Sequence, residues 1–110
     1  MTRLIFHITT APEWDAARSA GEYRAPSLET EGFIHCSNED QVAGVANRFY
    51  ADQADLLVLC IDAGRLAAPV RDEDAGTGER FPHVYGPIER EAVVEVRELR
   101  RDPAGRWHFP

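Results

Sequence analysis

The side chains in this chain that could do chemistry are chiefly its histidines. His7, His35 and His83 each lie in an extended-looking apolar segment, and each is followed two places later by a hydroxyl: Thr9, Ser37 and Tyr85. Residues two apart on a strand share a face, so each segment would present an imidazole and a hydroxyl together. If the three faces meet, they enclose a polar cleft within an apolar fold. An imidazole there could donate or accept a proton near neutral pH. Taken alone, any one of these rings is better explained as half-buried and bonded to a backbone carbonyl. The repeated companion pattern is what points to a site. His108, between Trp107 and Phe109, reads as structural or neutral.

Other chemistries are weaker. Three histidines could hold zinc in an open site, but no HxH or HxxxH pair is present and no carboxylate is an obvious fourth ligand, so no metal is expected. Cys36 follows His35 directly and therefore faces the other way on a strand. Cys36 and Cys60 form no CxxC pair and read as small buried thiols. Arg24 and Ser27, in Tyr23-Arg24-Ala25-Pro26-Ser27, form a smaller group. Arg24 reads as a surface or ion-paired residue unless its segment lines the cleft, where a guanidinium suits phosphate.

The elements that must position these groups follow from hydrophobic period and punctuation. Leu4 to Thr9 alternates as a strand, with His7 and Thr9 on the face of Ile5. Thr10-Ala11-Pro12-Glu13 has the form of a capping box, with Glu13 reaching back to Thr10. A short helix burying Trp14 and Ala17 should follow and stop at Gly21. Glu22 to Ser27 reads as extended, and Gly32 to Ser37 as a strand, with Ser37 capping the next helix. Val42, Val45, Ala46 and Phe49 recur at helical spacing. Leu56 to Ile61 lacks alternation and predicts a central strand covered on both faces. Ala63 to Ala68 suggests one helical turn, and the acidic, glycine-containing stretch Arg71 to Arg80 an exposed loop. Phe81 to Tyr85 and Ala92 to Leu99 read as extended. Trp107 to Phe109 returns as a short strand after the Asp102–Gly105 turn. Six or seven strands and two helices, both in the first half, predict an α+β fold rather than a βαβ alternation.

Charge narrows the ligand. The chain has 110 residues, a formal net charge of −7, 44% hydrophobic and 28% charged residues, close to the globular average, and reads as one domain over residues 1–110. Such an acidic surface repels a phosphate backbone, so a small molecule is expected rather than broad nucleic-acid binding. All 12 basic residues are arginine; without lysine there is no Schiff-base chemistry. No apolar run approaches the roughly 20 residues of a membrane helix. The opening Met1 to His7 reaches a histidine before a signal-type apolar region could form. A cytoplasmic location is expected.

Five segments carry a resemblance: His7-Ile8-Thr9-Thr10, Glu22 to Leu28, Glu31 to Ser37, Val45 to Tyr50, and Phe81-Pro82-His83-Val84-Tyr85-Gly86. Together they resemble the bacterial domain-of-unknown-function family numbered 952, which is similar in fold to the ADP-ribosyltransferases, including the tRNA 2′-phosphotransferases. The resemblance implies a split β-sheet with an NAD-type cleft between its parts. It implies that His7 bonds the nicotinamide ribose, that the backbone at Ile8 contacts the carboxamide, and that Thr9 assists. His35 would stand where the superfamily stacks an aromatic on nicotinamide. No glutamate matches the superfamily's third position; the segment around His83 and Tyr85 is nearest. The expected function is therefore binding of NAD or an ADP-ribose compound, with transfer or hydrolysis at ribose C1. His7, His35 and His83 would be the catalytic candidates, and Thr9, Arg24, Ser27 and Tyr85 further binding candidates. The alternative is a non-catalytic nucleotide-binding or regulatory module.

Overall fold

Six residues with one polar side chain among them, Leu57–Asp62, form β4, and a strand of that kind is stable only with both faces covered. It lies between β1 (Leu4–Thr9) and β8 (Val93–Glu98) in an antiparallel sheet. Leu59 and Ile61 pack with Ile5, Trp14, Ile34 and Val84 on one face. Val58 and Cys60 pack with Phe6, Ile8, Val42 and Trp107 on the other. A computed structural model describes residues 2–74 and 76–109.

Helix α1 (Ala11–Ala20) buries Trp14 and Ala17 and ends where Gly21, at φ 85°, returns its N–H to the Ala17 carbonyl. Helix α3 (Val42–Phe49) buries Val42 and Ala46, but Phe49 is 67% exposed; its ring lies at the end of the helix rather than in the core. A second antiparallel sheet has the order β3 (Ile34–His35), β6 (Arg80–Val84), β5 (Val70–Asp74). Two-stranded pairs join β2 (Glu22–Tyr23) to β7 (Ile88–Glu89) and β9 (Arg100–Arg101) to β10 (Trp107–His108). The whole is a mixed α+β fold with few helices and several antiparallel sheets. Among the described residues no helix is long and apolar enough to cross a membrane.

Several local expectations are corrected. The stretch Arg71 to Arg80 is not simply a loop: Val70–Asp74 is strand β5, paired along β6 from Val70↔Val84 to Asp74↔Arg80. Ala75, inside that stretch, lies outside the described residues. Asp74 Oδ1 accepts the N–H groups of Gly76, Thr77 and Gly78 and so makes the reversal. The segment Glu22 to Ser27 is extended only at its start; Pro26, whose fixed φ suits a first helical turn, opens a third short helix, α2 (Pro26–Thr30). The helical turn after β4 is confined to Ala63–Arg65. Thr10 caps α1 without a side-chain bond, and Glu13 turns away from it. Ser37 does not cap; it bridges to Phe6, and Asn38 donates its backbone N–H to Gln41 Oε1 at 2.8 Å.

Candidate functional site

The two larger sheets touch at one point. Phe6 and Ser37 exchange both backbone hydrogen bonds, at 2.8 and 2.7 Å. A continuing antiparallel ladder would next give the His35 carbonyl to the N–H of Ile8. The strands part instead, and His7 Nδ1–H donates to that carbonyl at 2.6 Å. An imidazole thus replaces a ladder bond where the sheet splits. The opening beside it is a cleft of about 690 Å³ whose lining includes His7, Thr9, Glu13, His35 and His83.

His7 is a buried ring with both nitrogens committed. A carbonyl only accepts, so Nδ1 carries the proton. Nε2 then accepts from the Tyr23 hydroxyl, 3.0 Å away. The Tyr23 oxygen also lies 3.1 Å from Thr9 Oγ1 and 3.2 Å from Glu13 Oε2, and Thr9 Oγ1 donates to Glu13 Oε2 at 3.1 Å. Tyr23 has one proton for two acceptors, His7 Nε2 and Glu13 Oε2. Burial holds the His7 pKa below its ordinary value, which favours the neutral ring, whose Nε2 can accept the phenol proton. Burial likewise raises the Tyr23 pKa, so the phenol keeps its proton.

A second cluster forms across β3, β6 and β5. His35 pairs directly with His83 and Arg71 with His83, so these residues and their neighbours two places along share a face. The Phe33 ring stacks on His83 with centroids 4.1 Å apart and an 18° tilt, and the His35 ring stands 5.3 Å from His83. Glu73, one diagonal step from His83, takes its Nδ1 at 2.8 Å. The Tyr85 hydroxyl donates to the same oxygen, Glu73 Oε1. These two bonds hold the Glu73 carboxyl below its ordinary range, and the negative oxygen pushes the Tyr85 hydroxyl up.

His7, Thr9, Ser27, His35 and His83 line the one cleft. His35 is half exposed and ties to Glu31 Oε2 at 3.0 Å. Ser27 spends its proton on the Phe33 carbonyl at 2.8 Å. Tyr85 stands outside the lining and donates its hydroxyl to Glu73 Oε1. Arg24 is exposed, pairs with Glu22 at 2.8 Å and borders a separate groove. Burial raises the Cys36 and Cys60 thiols to about 12 and 11, which leaves them protonated and unreactive. Among the described residues no group of three or more His, Cys, Asp or Glu is placed to hold a metal ion.

Sequence reasoning missed Glu13, Tyr23 and Glu73. In sequence Glu13 fits the capping-box pattern, although Thr9 stands four residues before it. Glu73 was hidden in a polar run, although Gly76-Thr77-Gly78 ahead of Phe81 is a hairpin signal. Tyr23 carried no local signal, because its partners come from β1 and α1.

The chain is similar over most of its length to protein CC0527 from Caulobacter crescentus. The crystal structure of that protein is 32% identical with a TM-score of 0.85, over 96% of this chain and 93% of that one. Its solution NMR structure is 33% identical with a TM-score of 0.80, over 94% and 90%. No curated protein matches the chain. The family model described as a protein of unknown function, DUF952, matches residues 8–96, and the chain belongs to that family.

Proposed function

We propose that the cleft binds NAD or a related ADP-ribose compound, and that the chain transfers or hydrolyses the ADP-ribosyl group at ribose C1. The observation that carries this reading is the convergence of His7, Thr9, His35 and His83, from β1, β3 and β6, on one cleft. Its volume, about 690 Å³, is within the roughly 300–1,000 Å³ range of small-molecule sites. Arg48 is the one arginine among the described lining residues, and its fork suits a phosphate. Phe49 and Phe81, also in the lining, offer faces for a base. The resemblance to the ADP-ribosyltransferases supplies the ligand class. Glu13 adds a carboxylate beside Thr9 and Tyr23 that can sit against positive charge developing at the ribose.

The geometry qualifies the role of His7. Because Nε2 is taken by Tyr23, a ribose hydroxyl meets either the displaced ring nitrogen or the Tyr23–Thr9 hydroxyl pair. Titration of the protein with NAD, ADP-ribose and nicotinamide, followed by amide shifts, tests the reading. Perturbations should cluster around His7 and His35; none at millimolar ligand refutes it. Nicotinamide release from NAD identifies an enzyme, whereas saturable binding without release identifies a binding module.

A further inference from the structure

We propose that Glu73 and His83 form a carboxylate–imidazole dyad in which His83 is the base of the cleft, taking the proton of a water or alcohol acceptor at Nε2. This deepens the reading above, and the identity of the ADP-ribosyl donor rests on that reading; the dyad does not.

The Glu73 carboxylate can only accept, so His83 Nδ1, 2.8 Å from Oε1, carries the proton. The lone pair is thereby placed on Nε2, which has no partner among the described residues, in a side chain that lines the cleft. Three contacts hold this arrangement. Phe33 stacks on the ring, Tyr85 O–H fixes the carboxylate oxygen, and the Arg71 guanidinium sits 5.1 Å over the Tyr85 ring. The other two cleft histidines are less suited. His7 has both nitrogens engaged, and His35 is a half-exposed ring tied to Glu31. A neutral imidazole oriented by a carboxylate, with its far nitrogen facing the reactants, is the arrangement general-base catalysis requires. Glu73 is a positioning residue that acts through His83.

The acceptor class follows. A carboxylate or thiolate nucleophile needs no base, whereas an O–H nucleophile gains from one. In the step, the acceptor oxygen forms a bond to ribose C1 as its proton moves to His83 Nε2. The C1–N bond breaks, and its electron pair stays on the nitrogen of nicotinamide, which leaves neutral. With water as acceptor the products are ADP-ribose, nicotinamide and one proton, released from His83 to solvent. Among the described residues, the charged and titratable groups around His83 include Glu73, Asp72 and Arg71 from β5, His35 from β3, and Tyr85 beyond β6.

Long-range proton–nitrogen spectra of the histidine rings at mildly alkaline pH test the dyad without any turnover. The wild type should show His83 protonated at Nδ1 and bare at Nε2. Glu73→Gln should keep that tautomer, because its amide oxygen still accepts, while Glu73→Ala should let the ring exchange tautomers. Tyr85→Phe reports on the same carboxylate if Glu73→Ala does not fold. A proton on Nε2 in the wild type, or an unchanged ring in Glu73→Ala, overturns the proposal. With NAD and water, Glu73→Ala should lower kcat toward the about 10²–10⁴-fold loss that removes general-base catalysis, with little change in KM and an altered acid limb of the pH profile. Where the wild type releases nicotinamide, equal kcat in wild type and Glu73→Ala also overturns it. Spectra as expected in a protein that releases no nicotinamide would sink the NAD reading while supporting the dyad.

Discussion

Tyr23→Phe isolates the hydroxyl at the hub of the His7 network. Phenylalanine keeps the ring packed against His7, whose centroid is 5.0 Å away at 60°. What is lost is the bond to His7 Nε2 at 3.0 Å and the contacts to Thr9 at 3.1 Å and Glu13 at 3.2 Å. Thr9 retains its own bond to Glu13, and Glu13 is exposed, so those two groups find other partners. His7, only 8% exposed, does not: Nε2 becomes a buried acceptor without a donor. Such an orphan costs about 1–3 kcal/mol. With a urea slope of about 1–3 kcal/mol/M for a small protein, the unfolding midpoint should fall by about 1 M. A double-mutant cycle separates this orphan from any repacking of the ring. In a His7→Leu background the acceptor is gone, and Tyr23→Phe should cost markedly less. An unchanged midpoint in Tyr23→Phe, or an equal cost with and without His7, would show that Nε2 is not orphaned by the loss of the hydroxyl.

Two further outcomes are expected. Burial sets the His7 pKa below 6.5 in the folded state, so near that pH the unfolded chain binds more protons than the native one. Stability from this group is therefore complete above pH 6.5 and lost as pH falls from there through the folded value. The slope is at most about 1.4 kcal/mol per pH unit, and it should vanish from urea midpoints of His7→Leu. Asn47 clamps the C-terminal strand: its Oδ1 takes the Trp107 N–H at 2.7 Å and its Nδ2 donates to the Trp107 carbonyl at 3.0 Å. Asn47→Ala should cost about 1–3 kcal/mol by orphaning that N–H and should speed hydrogen exchange at the Trp107 amide.

Periodicity made the frame legible. The unbroken apolar run at Leu57–Ile61 can be stable only as an interior strand, and β4 is one, with β1 and β8 beside it. Side-chain alternation on β1 put Phe6 and Ile8 on one side and His7 and Thr9 on the other, because a pleated backbone permits nothing else. Trp14 and Ala17 inside α1, and its end at Gly21, followed from spacing and from glycine's access to positive φ. These are local consequences of chain geometry, and one sequence is enough to read them. The partners inside the cleft were not local. Whether Glu13 caps a helix or joins Thr9 and Tyr23 depends on where β2 lies relative to β1, a separation that no spacing encodes. Polar residues conceal strand β5, since a strand at the edge of its sheet can leave its outer face to water. Glu73 therefore meets His83 only once the β5–β6 register exists. Residue types along the chain determined which groups could do chemistry. Tertiary structure alone decided that His7 has both nitrogens occupied while His83 keeps one to spare, because hydrogen-bond partners are distributed by packing between elements distant in sequence.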